Sequence, residues 1–202
     1  MSKGTMVVIT GPMFSNKSGE LIRLAQVHRI AGRRVGLFKH SLDDRYEGID
    51  QISTHAGLST EAEPVSTSAQ IALMASDLDV IAVDEAQFFD DGLVGVLNGL
   101  VESGHTVFVA GLDRDFLGEP FGPMGGLMAN ADDVMKLRAV CMRCHSLDGS
   151  MTQRLVNGQP APRTSPLIMI GASESYEARC RDCHELGAEE TEVSPADPPS
   201  LP

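Results

Sequence analysis

Short apolar runs alternate with segments of helical periodicity along the first half of the chain. The apolar runs are nearly continuous, which is typical of strands that are buried on both faces of a parallel sheet. They predict strands at residues 5–10, 34–39, 80–83 and 106–110. Between them, apolar residues at helical spacing predict helices at residues 17–31, 66–76 and 92–103. Because strands and helices alternate, the pattern predicts an α/β fold whose right-handed crossovers cover both faces of a parallel sheet.

Two segments lack any such pattern. Residues 41–63 are rich in Asp, Gly, Ser, Thr and His, so we expect a long loop that is either mobile and functional or disordered. From Gly187 onward the chain is dense in proline and acidic residues, which predicts a disordered tail.

The first predicted strand runs into a glycine turn that is followed by a lysine and a serine. Gly11, Lys17 and Ser18 occupy three fixed positions of the phosphate-binding motif G-x-x-x-x-G-K-[ST]. In that motif, backbone N–H groups surround an anion, the lysine reaches the outer phosphates and the hydroxyl binds magnesium. Asn16 replaces the second glycine, and asparagine is the commonest non-glycine residue in the left-handed region. The predicted phosphate loop is Gly11, Pro12, Met13, Phe14, Ser15, Asn16, Lys17 and Ser18; the alternative is an ordinary strand-to-helix turn.

A second group of polar residues follows the third predicted strand. Asp84 and Glu85 end this strand, so they lie at the same sheet edge as the Gly11 loop, where ligands of such sheets bind. Asp84 can hold magnesium directly or through water, while Glu85 can orient or deprotonate an attacking hydroxyl or water. The alternative is an acidic cap on the next helix.

The four cysteines form two close pairs, Cys141-x-x-Cys144 and Cys180-x-x-Cys183. In a reducing compartment, pairs with this spacing favour a metal over disulfides. Four thiolates close the coordination shell of a zinc ion, which can then stabilise a lobe too small to fold alone. The 35 residues between the pairs should form their own hairpin or loop. His145 and His184 adjoin the pairs and are alternative ligands.

Charge and composition narrow the class of protein. The net charge is −12 and only 16 Lys and Arg are spread thinly along 202 residues, which argues against a nucleic-acid partner. No apolar run approaches the roughly 20 residues of a membrane helix. Because the sequence also has no leader-like N-terminal segment, we expect a cytoplasmic protein without a membrane partner.

Several motifs in one order give the chain a specific likeness. They are Gly-Pro-Met-Phe-Ser at 11–15 before Lys17-Ser18, Asp-Glu-Ala-Gln-Phe-Phe at 84–89, Gly-Leu-Asp at 111–113, Asp115-Phe116, Gly-Glu-Pro-Phe-Gly at 118–122, the two cysteine pairs, and Ile170-Gly171 leading to Tyr176. Over about residues 4–186 the sequence resembles the cytosolic-type (type II) thymidine kinases. It departs from their pattern at Asn16 and at Gly19, where a larger polar residue is common.

The resemblance implies transfer of the γ-phosphoryl group of ATP to the 5′-hydroxyl of thymidine, giving dTMP for DNA synthesis. It implies that Glu85 is the general base and that Lys17 and Ser18 hold phosphate and Mg²⁺, with Asp84 on the Mg²⁺ side. Arg45 matches the arginine that neutralises charge on the transferred group. The matching nucleoside positions are Met13, Leu112, Phe116, Phe121 and Thr152, with Met169, Ile170, Gly171, Ala172 and Tyr176 in a covering lasso.

The resemblance also implies a P-loop (RecA-like) fold with structural Zn²⁺ at Cys141, Cys144, Cys180 and Cys183, a homotetramer, and feedback inhibition by dTTP. The predicted division is an α/β nucleotide-binding domain at 1–139, a zinc-binding lobe with the lasso at 140–186, and the tail at 187–202. Two other classes compete with this interpretation. One is a zinc-containing P-loop ATPase coupled to a nucleic-acid or protein partner, and the other is a nucleotide-binding module without turnover.

Overall fold

The structure, a computed structural model, describes residues 3–42, 51–53, 59–168 and 174–188, with backbone alone at residues 51–53, 59 and 174. In chain order its helices and strands are β1 (Thr5–Thr10), α1 (Lys17–Ile30), β2 (Val35–His40), β3 (Gln51–Ser53), β4 (Ser59–Glu61), β5 (Glu63–Val65), α2 (Ser68–Met74), β6 (Val80–Asp84), α3 (Gly92–Glu102), β7 (Thr106–Gly111), α4 (Met124–Asn130), β8 (Asp133–Lys136), β9 (Met151–Val156), β10 (Gln159–Pro160) and β11 (Glu174–Arg179).

A six-stranded parallel sheet forms the larger part of the molecule. Its order is β5-β2-β6-β7-β1-β8, and each neighbouring pair runs parallel. Helix α1 covers one face, while α2, α3 and α4 cover the other. This arrangement confirms the predicted α/β fold, and the four predicted strands and three predicted helices are present with ends shifted by at most two residues.

Both faces of this sheet are apolar because the central strands alternate their side chains between two cores. Along β6, for example, Ile81 and Val83 face α2, α3 and α4, whereas Val80 and Ala82 face α1. Strands buried on both faces read as continuous apolar runs, which is why the sequence pattern detects them. Within the described ranges, no helix combines the length and apolar character needed to cross a membrane.

The sheet topology brings the two predicted nucleotide-site segments to one edge. Strand β7 pairs with β1 on one side and with β6 on the other, all in parallel. The carboxyl ends of β1 and β6 therefore lie at the same edge, separated only by β7. The turn after Thr10 and the acidic pair at Asp84 begin there.

The chain beyond residue 139 forms a second, antiparallel sheet of three strands in the order β10-β9-β11. Strand β9 is its centre, and Tyr176 on β11 pairs with Arg154 on β9. The prediction that the chain between the cysteine pairs forms its own hairpin is confirmed. The domain boundaries at 139 and 186 stay predictions, and residues 189–202 of the tail lie outside the described residues.

The prediction of a long loop over residues 41–63 is wrong at the strands that the structure describes there, and residues 43–50 and 54–58 lie outside the described residues. Strands β3 and β4 pair in an antiparallel hairpin, and β5 begins at Glu63 and pairs with β2. These short strands carry polar residues and are held by backbone hydrogen bonds, so they have no apolar alternation to detect. Helix α4 and strand β8 were also not predicted, because α4 begins Met-Gly-Gly and β8 has only four residues.

Candidate active site

The loop after β1 has the backbone conformation of an anion-binding turn. Gly11 has φ 149°, and a Cβ atom there would lie 2.5 Å from the carbonyl oxygen of Leu137, so only glycine fits. Phe14 and Asn16 both have φ 63°, in the left-handed region. Helix α1 begins directly afterwards at Lys17, and the first N–H groups of a helix have no partners within the helix. The loop therefore joins strained backbone to the positive end of a helix dipole.

The two departures from the type II pattern are neighbours in space. A Cβ atom on Gly19 would lie 2.2 Å from Oδ1 of Asn16. The Asn16 side chain thus occupies the space that a larger residue at position 19 would need. The absence of a side chain at Gly19 accommodates the asparagine that replaces the usual glycine.

Three hydrogen bonds fix the loop internally and to the second sheet. The Lys17 ammonium and the Ser15 hydroxyl each donate to the carbonyl oxygen of Pro12, both at 2.8 Å. The backbone N–H of Met13 donates to Oγ1 of Thr152 on β9 at 3.1 Å. Two predicted substrate positions, Met13 and Thr152, are therefore in direct contact.

The acidic pair after β6 lies against this loop. Asp84 is 3% exposed, and its carboxylate accepts a hydrogen bond from the Glu85 N–H at 3.0 Å and lies near the Ser18 hydroxyl. Burial and the negative charge of Glu85 raise the pKa of Asp84 to about 7, although the Ser18 hydroxyl and the Lys17 charge oppose the shift. A nearby cation would favour the charged form of this carboxylate. Hydroxyl and carboxylate oxygens are also the ligands that suit Mg²⁺, so Ser18 and Asp84 fit that ion.

Glu85 has a strained backbone of its own, with φ 53° and ψ 41°. Left-handed backbone at a non-glycine residue persists only where surrounding contacts hold it, and it occurs often at functional sites. The amide of Gln87 donates to Oε2 of Glu85 at 2.5 Å. Glu85 is thus held in one orientation at the sheet edge.

Two polar residues at this edge were missed by the sequence reasoning. Gln87 is 2% exposed, and Lys39 on β2 is 4% exposed and pairs in register with Asp84. A lysine inside an apolar strand was an available signal. Gln87 lies within the Asp-Glu-Ala-Gln-Phe-Phe motif, but the motif assigns it no role, because that role depends on contacts between separate segments.

Contacts in the structure bring together only some of the predicted nucleoside positions. Leu112 and Phe116 are buried after β7, and the Phe116 ring lies 5.1 Å from the Arg154 guanidinium carbon. The Phe121 ring meets the Phe88 ring edge-on with centroids 5.8 Å apart. Tyr176 is half-buried on β11. Arg45 and the lasso residues Met169, Ile170, Gly171 and Ala172 lie outside the described residues.

The four cysteines converge into one cluster. Their sulfur atoms all lie within 4.8 Å of one another, and the Sγ atoms of Cys144 and Cys180 are 3.8 Å apart. A tetrahedral zinc site with Zn–S bonds of about 2.3 Å requires S···S separations of about 3.8 Å, so the cluster fits zinc. Burial opposes ionisation of Cys141, but backbone N–H donors outweigh it and lower the pKa of this thiol to about 6.

Neither candidate histidine belongs to this cluster as the described residues define it. A ring nitrogen of His184 lies 3.0 Å from the carbonyl oxygen of Phe116, which draws that ring toward the larger sheet. The cysteine spacing therefore identified the complete set of candidate ligands.

The sequence profile of one known family, described as thymidine kinase, matches residues 4–184. The match includes the phosphate loop, the acidic pair and all four cysteines, and it is consistent with the type II resemblance. The chain belongs to the thymidine kinase family.

Proposed function

We propose that this protein transfers the γ-phosphoryl group of ATP to the 5′-hydroxyl of thymidine and releases dTMP and ADP. Membership in the thymidine kinase family implies a kinase that phosphorylates thymidine with a nucleotide and a metal. The observation that carries the finer proposal is the position of Asp84. Its buried carboxylate lies near Ser18 and Lys17, whose hydroxyl and charge both act to lower its pKa. The phosphate loop and the acidic pair are therefore close together at one sheet edge, which phosphoryl transfer requires.

Residues 11–18 would bind the phosphates of ATP through the loop backbone and Lys17. Lys17 donates to Pro12 at 2.8 Å, which holds its ammonium over the loop backbone. Ser18 and Asp84 would hold Mg²⁺, which supplies neutralisation of charge on the transferred group.

Glu85 would accept the proton of the 5′-hydroxyl as that oxygen attacks phosphorus. It directly follows Asp84, so the proton acceptor and the Mg²⁺ side of the site are adjacent. A positioned base contributes typically a hundredfold or more to rate. Arg45 would stabilise charge on the transferred phosphoryl group.

The nucleoside would bind between the loop after β7 and the second sheet, at Met13, Leu112, Phe116, Phe121 and Thr152, under the lasso at 169–172 and Tyr176. The contact of Met13 with Thr152 supports this placement, because it joins the phosphate loop to the second sheet. The zinc at the four cysteines would be structural, since four thiolates leave no open coordination position. The homotetramer, dTTP inhibition and cytoplasmic location stay predictions.

The test is an assay of ³²P transfer from γ-labelled ATP, with thymidine as acceptor and Mg²⁺ present. We expect labelled dTMP, with ATP consumption that depends on thymidine. A rate of ATP hydrolysis that does not depend on thymidine but increases with single-stranded DNA would favour the coupled ATPase. Binding of ATP without any turnover would favour the nucleotide-binding module.

A further inference from the structure

We propose that Gln87 is a positioning residue. It connects the Glu85 carboxylate to the backbone of Leu112, in the proposed wall of the nucleoside pocket, and so keeps the carboxylate at a fixed distance from that wall. This inference rests on the proposed role of Glu85 as the base. It gives a role to Gln87, which lies within the motif at 84–89 but to which the resemblance assigns none.

The orientation of the Gln87 amide follows from its two partners. The backbone N–H of Leu112 donates to Oε1 of Gln87 at 3.0 Å. Only an acceptor can face an N–H group, so the Nε2 end of the amide must face the other way. There it donates to Oε2 of Glu85 at 2.5 Å. One planar amide therefore connects the candidate base to the backbone after β7.

Two glycines pack closely against Gln87. A Cβ atom on Gly111 would lie 2.8 Å from Oε1 of Gln87. A Cβ atom on Gly122, where φ is 50°, would lie 2.3 Å from the carbonyl oxygen of Gln87. Since the side chain is also 2% exposed, it has little space for another rotamer.

Different contacts hold the main chain and the carboxylate of Glu85. The left-handed backbone of Glu85 is supported by its own N–H donating to Asp84 at 3.0 Å and by the Phe88 N–H donating to the Glu85 carbonyl at 3.1 Å. These bonds fix the main chain but not the carboxylate. Gln87 supplies the bond to the carboxylate itself.

This arrangement has a direct chemical consequence. A buried donor on one oxygen restrains the rotation of a carboxylate, so it narrows the positions from which the carboxylate can accept a proton. Leu112 is a proposed contact of the nucleoside. The Gln87 amide therefore contacts both the proposed general base, Glu85, and the wall of the nucleoside pocket. Displacing a reacting group by about 1 Å can cost about a hundredfold in rate.

The experiment compares the parent with Gln87→Met, which keeps the length of the side chain but lacks both the donor to Glu85 and the acceptor for Leu112. We expect kcat for transfer to thymidine to fall by about tenfold to a hundredfold. Dissociation constants for Mg-ATP and thymidine should stay within about threefold of the parent. Gln26→Leu, on the exposed face of α1, is the control and should leave kcat unchanged.

A double-mutant cycle then tests whether Gln87 acts through Glu85. In a Glu85→Gln background, Gln87→Met should change kcat by less than about twofold. An equal loss of kcat in both backgrounds, or a rise in KM with unchanged kcat, would overturn the inference. If Gln87→Met does not fold, Gln87→Asn replaces it, since its shorter amide stays polar but cannot reach both Leu112 and Glu85.

The same four proteins are also unfolded by urea, which tests the contact without any turnover. We expect non-additive changes in the free energy of unfolding for Gln87→Met and Glu85→Gln, and additive changes would count against the inference. A parent that transfers no phosphoryl group to thymidine would instead overturn the proposed function. In that case the unfolding cycle still decides whether Gln87 holds Glu85.

Discussion

The parallel sheet and the cysteine-bearing lobe are stabilised in different ways. Both apolar cores belong to the parallel sheet and its helices, and every member of either cluster lies before residue 138. The antiparallel sheet beyond residue 139 buries few large apolar side chains. Its central strand instead buries the polar residues Thr152, Gln153 and Arg154. The first region is thus held by apolar burial, and the second depends on polar contacts and its four cysteines.

The two regions have different roles in the proposed active site. Strand ends fixed by two apolar cores can hold the loop, Asp84 and Glu85 in precise positions. The lobe meets them through a few contacts, such as Thr152 with Met13 and Arg154 with Phe116. Units with so small a core are commonly stabilised by a metal or a similar support, and the cysteine cluster is compatible with zinc. We therefore assign the chemistry to the parallel sheet and the covering of the nucleoside to the lobe.

The largest effect should come from Glu85→Gln, which removes a proton acceptor from the parallel-sheet edge without changing its volume. We expect kcat for transfer to fall by about a hundredfold or more, with Mg-ATP binding retained. The control is Glu102→Gln, at the end of α3 near the opposite edge of the sheet, where Gly4 bonds to Val101. Turnover of Glu85→Gln within about threefold of the parent would refute the base assignment.

Removing the metal should disrupt the lobe while leaving the parallel sheet folded. We expect about one zinc per chain by metal analysis, and faster proteolysis within residues 140–186 after chelation. Cys144→Ser should behave like the chelated protein, and added zinc should restore protection of the parent but not of the variant. A metal-free protein with an intact lobe would contradict the comparison.

A smaller effect should follow from Asn16→Gly in the phosphate loop. Glycine adopts the left-handed backbone without strain and removes a side chain near the phosphates, so we expect Mg-ATP to bind a few-fold tighter by calorimetry. The free energy of unfolding should change by less than about 1 kcal/mol. Binding weaker by about tenfold or more would show that the asparagine itself contacts ATP.

The contact of Asn16 with Gly19 sharpens this prediction. Gly19→Ala should weaken Mg-ATP binding in the parent, because its Cβ would overlap the Asn16 amide. In the Asn16→Gly background the same change should be tolerated. Equal effects in both backgrounds would show that the two positions are independent.

The smallest effect concerns an exposed ion pair at the far edge of the parallel sheet. Hydrogen bonds from Arg34 lower the pKa of Asp79 to about 2. A lowered pKa stabilises the fold above the unfolded value of about 3.9, and this contribution is lost as the pH falls toward 2. The Tm difference between the parent and Asp79→Asn should therefore shrink from pH 5 to pH 3, with transfer activity unchanged at pH 7. A difference that does not depend on pH would refute the ion pair.

The sequence predicted those parts whose signal lies within one segment. Strands such as Val80–Asp84 are buried on both faces, so their composition alone indicates their state. The cysteine spacing likewise indicated the whole cluster. The hairpin of β3 and β4 could not be predicted, because backbone pairing between polar segments leaves no pattern in the residues.

The candidate site shows the same limit. The phosphate loop and the Asp84-Glu85 pair directly follow strands, so the topology implied their meeting. Gln87 could not be assigned, because its importance depends on Leu112, which is 25 residues away in the chain. The fit between Asn16 and Gly19 likewise became visible only as an overlap in space.

The most direct test of this division of work measures both substrates in one metal-free sample. Calorimetric titration should give a dissociation constant for Mg-ATP within about threefold of that of the zinc-bound protein. Thymidine binding should weaken by about tenfold or more, and zinc should restore it. If the metal-free protein binds neither Mg-ATP nor thymidine, the phosphate loop depends on the lobe. If it binds both with unchanged affinity, the lobe does not hold the nucleoside. Either result would contradict the assignment of chemistry to one region and nucleoside covering to the other.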